Sequence, residues 1–327
     1  MAFSTPVLFL VFNRPEHTNQ VFQQIRRIRP TQLFVSADGP RKTVAGEAEK
    51  CAAVRAVIDQ VDWDCTVHTN FLPENHGCRK AVTTGISWFF QHVEEGIILE
   101  DDCLPDESFF TYCASLLEKY RDDEDVWHIS GSNPCAWQMQ RMASSYVFSR
   151  FPFIWGWATW RRSWLQYDPF FSGLDESWLD AGSGFSAISA STTARLYLYD
   201  KFASTRNGEI DTWDYAWFYT ILKNKGACLN PTSNLVRNIG FDQEATHTRK
   251  RFLGPVPQSK TGTMMASMTD PAGRQPNYAL ERTFFQRSQK GDLGLVLRYL
   301  APHFFFKHMP PPKPWINLFG MKTFFTS

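Results

Sequence analysis

Three acids in succession, Glu100-Asp101-Asp102, follow the apolar run Gly96-Ile97-Ile98-Leu99 and precede Cys103-Leu104-Pro105 and a helical pattern. This spacing sets a carboxylate triplet at the carboxyl end of a buried strand, the edge where open α/β sheets bind ligands. Adjacent carboxylates repel one another, and each is costly to desolvate without a cation or hydrogen-bond donors. A hard divalent cation carrying a diphosphate meets that need, because Mg2+ and Mn2+ take oxygen ligands and bridge to phosphate oxygens. An acidic turn at the surface would simply be solvated. The β-branched apolar run directly before this triplet argues for a site instead.

The elements around the triplet have to position it. Pro6 to Phe12 reads as a fully buried strand, broken by Asn13-Arg14-Pro15. A helix follows from Thr18, with Val21, Phe22, Ile25 and Ile28 on one face, and Pro30 stops it. Gln32 to Ala37 is a second strand ending in Asp38-Gly39-Pro40. A helix bearing Cys51, Val54, Val57 and Ile58, a short strand at 65–69 and a helix at 80–93 lead into Ile97-Ile98-Leu99. Strands alternating with helices predict an α/β fold with a doubly wound, mostly parallel, Rossmann-like sheet. Beyond the acids, Pro105-Asp106 opens a helix whose buried stripe is Phe109, Phe110, Cys113, Leu116, Leu117 and Tyr120. Val126 to Ser130 reads as a strand, Tyr146 to Trp160 is dense in aromatics, 172–192 reads as a loop and 213–223 as a helix. After residue 250 the pattern turns irregular and proline-rich, which divides the chain into a domain over 1–250 and an irregular C-terminal extension over 251–327.

With 327 residues, 43% apolar and 20% charged, the chain is globular and long enough for one large domain or two smaller ones. A formal net charge of +1 gives no reason to expect nucleic acid as a partner. Seven cysteines without a CxxC pair argue against a disulfide framework or a zinc site and fit a reducing compartment. The first residues lack the basic region of a signal peptide, and no run reaches the ~18 apolar residues of a membrane span. A cytoplasmic protein is therefore expected. The stretch 300–327 mixes aromatics with Lys307, Lys313 and Lys322, which suits either plain packing or peripheral contact with the inner membrane.

Three ordered elements, NRP after the first strand, ADGPR after the second and IILEDDCLPDESFF around the triplet, resemble the GT-A class of glycosyltransferases. Within it the nearest patterns are those of the N-acetylglucosaminyltransferase I family and of bacterial nucleotide-diphospho-sugar transferase-like proteins. The likeness spans residues 5–250. It implies a GT-A fold and a metal-dependent transfer of a sugar from a nucleoside-diphosphate donor, a UDP-sugar, to a carbohydrate hydroxyl with inversion, in bacterial surface-polysaccharide synthesis. The implied partners are that donor and a glycan or lipid-linked glycan acceptor.

Carried over by position, the resemblance implies Mn2+ or Mg2+ on Asp102, with His247 as a second ligand. Asp101 would bond the ribose hydroxyls, and Glu100 would support the donor sugar or the waters of the metal. Asn13 and Arg14 would touch the nucleotide, and Asp38 would read the uracil edge. Arg79 stands where relatives have a base-contacting His. Trp155-Gly156-Trp157 falls where such enzymes build a donor-sugar or acceptor wall, and Ser130-Gly131-Ser132-Asn133 falls near the donor sugar. Asp214 matches the general base, although Tyr215 replaces a second Asp of the family pattern; Asp211 is the alternative, and either acid could equally cap the following helix. A nucleotidyltransferase is the rival within enzymes, but it would carry a Gly-rich phosphate loop where NRPEHT has no glycine. A sugar-nucleotide or glycan-binding protein without turnover is the rival outside them, and the intact acids argue against it.

Overall fold

The computed structural model describes residues 2–179, 192–240, 262 and 267–288. The apolar run at the start forms β1 (Val7–Val11), buried at every residue. Pro15, whose ring presets the helical backbone and whose missing N–H is not needed there, opens α1 (Pro15–Ile28). β2 (Gln32–Ala37), α2 (Glu47–Arg55), β3 (Thr66–Phe71), α3 (Cys78–His92) and β4 (Glu95–Glu100) complete the alternating half. A short β5 (Cys103–Pro105) follows the acids, then α4 (Glu107–Lys119), whose N-terminus Asp106 caps by accepting from the Ser108 amide at 3.0 Å. The second half holds β6 (Val126–Ser130), β7 (Tyr146–Ser149), β8 (Trp157–Trp160), the single-turn α5 (Arg161–Trp164), α6 (Thr192–Arg206), α7 (Asp214–Lys223), β9 (Ala227–Pro231), β10 (Val236–Asn238) and α8 (Tyr278–Ser288).

The main sheet has eight strands in the order β3-β2-β1-β4-β8-β6-β9-β7. Only β7 and β8 run against the others, so the expected α/β fold with a mostly parallel sheet is observed. It is wound on both faces. Val7, Phe9 and Val11 pack under Val21, Phe22 and Ile25 of α1 and Phe109 of α4, while Leu8, Leu10 and Ile98 face Ile86 and Phe89 of α3 and Trp217 of α7. β5 and β10 pair separately as a two-stranded antiparallel ribbon just beyond the acids.

Two features depart from the sequence-based expectations. The aromatic stretch 146–160 supplies two strands, and β8 sits in the middle of the sheet between β4 and β6. Trp157 is consequently 0% exposed, stacked on Trp213 at 5.6 Å and on His128 at 5.0 Å. It is core packing, not part of a sugar-binding wall. Of the stretch assigned to a C-terminal extension, residues 267–288 pack onto the main body: Leu280 and Phe285 join Phe151 in a buried cluster, and the Asn277 amide donates to the Phe148 carbonyl at 2.8 Å. His247 and residues 300–327 lie outside the described residues. Among the described residues no helix is long and apolar enough to cross a membrane, and all seven cysteines are free thiols.

Candidate functional site

The parallel strands end along one edge of the sheet, and the acids gather there. Glu100 closes β4, and Asp101 and Asp102 leave it. The turn after β1 brings Arg14 to the same place. Its Nη2 donates to Asp101 Oδ1 at 2.7 Å and its Nη1 to Asp102 Oδ2 at 3.1 Å, so one guanidinium straddles two carboxylates. Burial pushes the Asp101 carboxyl up to about 6, with the Arg14 charge opposing the shift. Asp101 Oδ2 is buried and takes no hydrogen bond. Burial, then the charges of Asp102, Asp101 and Asp214, push Glu100 well above the usual carboxylate range.

The late acids reach this edge as well. Gly77, in a left-handed conformation at φ 79°, precedes Cys78 at the start of α3, and a Cβ on Gly77 would lie 3.4 Å from Asp211 Oδ2. The Cys78 thiol is pushed up by burial and then by the charges of Glu100, Asp214, Asp211 and Asp102. Four of the sequence-predicted acids thus share one environment at the N-terminus of a 15-residue helix. Asp214 opens α7, and its Oδ1 accepts from the Tyr215 amide at 2.9 Å and from the Thr212 hydroxyl. Asp211 is exposed.

A strap that follows β10 closes over Asp102. The Ile239 amide donates to the Asp102 carbonyl at 2.8 Å, and His17 Nε2 bonds the Ile239 carbonyl at 3.1 Å. Gly240 then passes so close that a Cβ there would stand 2.4 Å from Asp102 Oδ2 and 2.7 Å from Arg14 Nη1. Only the absence of a side chain lets the backbone lie against this ion pair.

Other predicted residues take different parts. The Asn13 amide donates to Glu47 at 2.8 Å, and that buried carboxylate also receives the Arg41 amide at 2.6 Å and the Arg41 guanidinium. Asp38 is buried, with Oδ1 accepting from the amides of Gly39 (2.8 Å) and His76 (2.9 Å) and Oδ2 from Asn75 Nδ2 (2.8 Å). It ties the loop after β2 to the turn before α3, and its oxygens are engaged by the chain itself. Arg79 donates to the carbonyls of Pro169 (2.7 Å) and Thr205 (3.3 Å), clamping two later segments onto α3. Ser130 and Asn133 are buried and bonded to Asn230 and Pro231, so they hold β6 against β9. Trp155 is half-buried at the acid-bearing edge. Gly156 has φ 62°, and its carbonyl takes the Gly131 amide at 2.7 Å. Glu47, Cys78, His17 and Gly240 were not legible as site residues, because each acquires its role from a partner distant in sequence.

No family model matches the chain, and no curated protein matches it in sequence. Among solved structures, it is similar to mouse xyloside xylosyltransferase 1 in its apo form, at 11% identity and a TM-score of 0.34 over 68% of this chain and 82% of that one. It is also similar to 4-diphosphocytidyl-2C-methyl-D-erythritol synthase from Anaerococcus prevotii, at 6% identity and 0.31 over 60% of this chain and 84% of that one. UDP-glucose pyrophosphorylase complexed with UDP-glucose matches at 12% identity and 0.26 over 45% of this chain. This chain spans 62% of that protein and 57% of HddC from Yersinia pseudotuberculosis. Likeness this distant does not bear on activity.

Proposed function

We propose that the chain is a GT-A-type glycosyltransferase that moves a sugar from a nucleoside-diphosphate donor, a UDP-sugar, to a hydroxyl of a glycan or lipid-linked glycan. The observation that carries this reading is the convergence of Glu100 and Asp102 with Asp211 and Asp214 at the N-terminus of α3, with Asp101 beside them on Arg14. A helix N-terminus favours a diphosphate, and α3 adds Lys80 in its first turn.

The donor set suits a hard divalent cation. Its atoms are carboxylate oxygens, burial and then neighbouring acids hold Glu100 above the usual carboxylate range, and the buried Asp101 Oδ2 has no partner. Among the described residues no three His, Cys, Asp or Glu side chains form a closed cage. That is compatible with Mg2+ or Mn2+, which are commonly held by one or two carboxylates plus substrate phosphates. Asp102 would hold the ion, with His247 as the proposed second ligand. Once bound, it would stabilise negative charge on the departing diphosphate.

The chain's own groups supply the rest. Asp101 bonds the ribose hydroxyls. Arg14 keeps Asp101 and Asp102 in register. Asp214, or Asp211 in its stead, takes the proton of the acceptor hydroxyl as that oxygen attacks the anomeric carbon and the bond to the diphosphate breaks. Attack from the face opposite the leaving group inverts the anomeric centre. General-base help of this kind is worth about 10²–10⁴ in rate.

The test is calorimetric titration with UDP and Mn2+, paired with nucleotide release from a panel of UDP-sugars. Asp102→Asn should weaken UDP–Mn2+ binding at least tenfold, and Asp214→Asn should lose turnover while keeping binding. Equal binding and turnover by Asp102→Asn would overturn the reading.

A further inference from the structure

Along the outer face of α3, away from the acids, a cavity of about 410 Å³ opens against the edge strand β3. Small-molecule sites typically measure roughly 300–1,000 Å³. Its lining is Asn70, Thr83, Thr84, Ser87, Trp88 and Gln91: five hydroxyl or amide side chains, one indole and no charge. Gly85 lets α3 lie close on β2 and β1, the two strands that follow β3 across the sheet, since a Cβ there would strike Ser36 Oγ at 2.7 Å and Leu10 Cδ2 at 2.9 Å.

Internal hydrogen bonds fix what each group can still offer. Asn70 Nδ2 donates to Ser36 Oγ at 3.3 Å, which leaves Oδ1 to accept. Ser87 Oγ accepts from Trp164 Nε1 at 3.0 Å, which leaves its O–H to donate. Thr83 donates to the Arg79 carbonyl at 2.9 Å and keeps lone pairs. Thr84 and Gln91 are exposed. The Trp88 indole is wedged edge-on by Phe34 and His92, each at 5.4 Å, and is held still as an apolar plane.

An ionised ligand would find no counter-charge in this lining. A purely apolar one would leave donors and acceptors unpaired, which costs more than the contact returns. A pyranose ring matches it, because its hydroxyls both donate and accept while its C–H face lies on an aromatic plane. We propose that this groove binds a neutral pyranose unit of a glycan chain, at a site separate from the acids. The proposal stands on the lining alone and does not require the donor reading above.

Full-length protein is titrated with maltose, cellobiose and lactose, following tryptophan fluorescence and heat, with glucose 6-phosphate as the charged counterpart. At least one neutral disaccharide should bind saturably, and the phosphorylated sugar should bind more weakly. The double variant Thr84→Val/Gln91→Leu, at exposed positions that do not disturb the core, should weaken binding about tenfold, the loss expected for one or two hydrogen bonds. Trp88→Ala should weaken it further. Asp102→Asn should bind the disaccharide as the parent does, even where it has lost UDP. Failure of every neutral disaccharide to saturate, unchanged affinity in the double variant, or loss of disaccharide binding in Asp102→Asn would each overturn the proposal; the last would place the sugar at the acids.

Discussion

Replacing Arg14 by Met keeps the aliphatic stem and removes the one guanidinium that bonds both Asp101 and Asp102. An exposed ion pair contributes about 0–1 kcal/mol, whereas removing one partner of a buried pair costs about 3–5 kcal/mol because a charge is stranded. Here the side chains of Arg14, Asp101 and Asp102 are 18%, 5% and 17% exposed. Asp101 is therefore effectively buried, while Arg14 and Asp102 retain some water, and the lower end applies: about 3 kcal/mol. For a domain of this size that corresponds to a fall in Tm of roughly 6–12 °C. Differential scanning calorimetry and urea unfolding measure it. Two further arms separate stranded charge from lost packing. Asp101→Asn in the Arg14→Met background should recover most of the loss, since the orphaned charge is gone. Excess Mn2+ should raise the Tm of Arg14→Met more than that of the parent, because a bound cation replaces the missing charge. An Arg14→Met protein within about 1 kcal/mol of the parent, or one made worse by Asp101→Asn, would refute the reasoning.

Gly240→Ala places a methyl where Asp102 Oδ2 and Arg14 Nη1 stand, at 2.4 and 2.7 Å. The carboxylate must move by nearly an ångström, so UDP–Mn2+ affinity and any turnover should fall roughly tenfold to a hundredfold, read by calorimetry and nucleotide release. Burial pulls the His128 imidazole down to about 3, while its Nδ1 accepts from Trp217 Nε1 at 3.2 Å. The unfolded chain takes up a proton near 6.5 and the folded one does not, so stability held above that value should drain by several kcal/mol as pH falls toward 3. His128→Gln should flatten that slope in urea unfolding. Burial pushes the Glu281 carboxyl up to about 8 from 4.5, and its Oε2 has no partner. Its contribution is complete below 4.5 and lost as pH rises through 8, so Glu281→Gln should unfold at higher urea than the parent at about pH 9 and gain nothing near pH 4.

The first half of the fold was legible because each of its elements carries its own signal. The runs PVLFLVF, QLFVSA and GIILE are apolar over their length because strands in a parallel sheet are covered on both faces, as β1, β2 and β4 are. The stripe Phe109, Phe110, Cys113, Leu116 and Leu117 has the helical period and is buried as such in α4. In 146–160 that reasoning fails, since nearly every residue is apolar and periodicity carries no information. β7 and β8 emerge there because the sheet has places for two strands running against the rest, one of them central.

The site divides along the same line. That Glu100, Asp101 and Asp102 stand at a strand end follows from local pattern alone, and so does the presence of Asn13, Arg14 and Asp38 at neighbouring ends. What each of them does depends on who meets it, and the meeting partner is remote. Asp38 has the look of a ligand-reading acid, yet its carboxylate is engaged by Asn75 and His76 from the turn before α3. Asn13 is turned to Glu47, and Arg14 crosses 88 residues to Asp102. The acids are drawn together with Asp211 and Asp214 by the sheet's topology, since α7 and the strap at 236–240 return to the edge where β4 ends. A residue's charge and its place at a strand terminus are properties of a short window. Whether its oxygens find partners within the chain, as those of Asp38 do and the buried Asp101 Oδ2 does not, is a property of the whole fold.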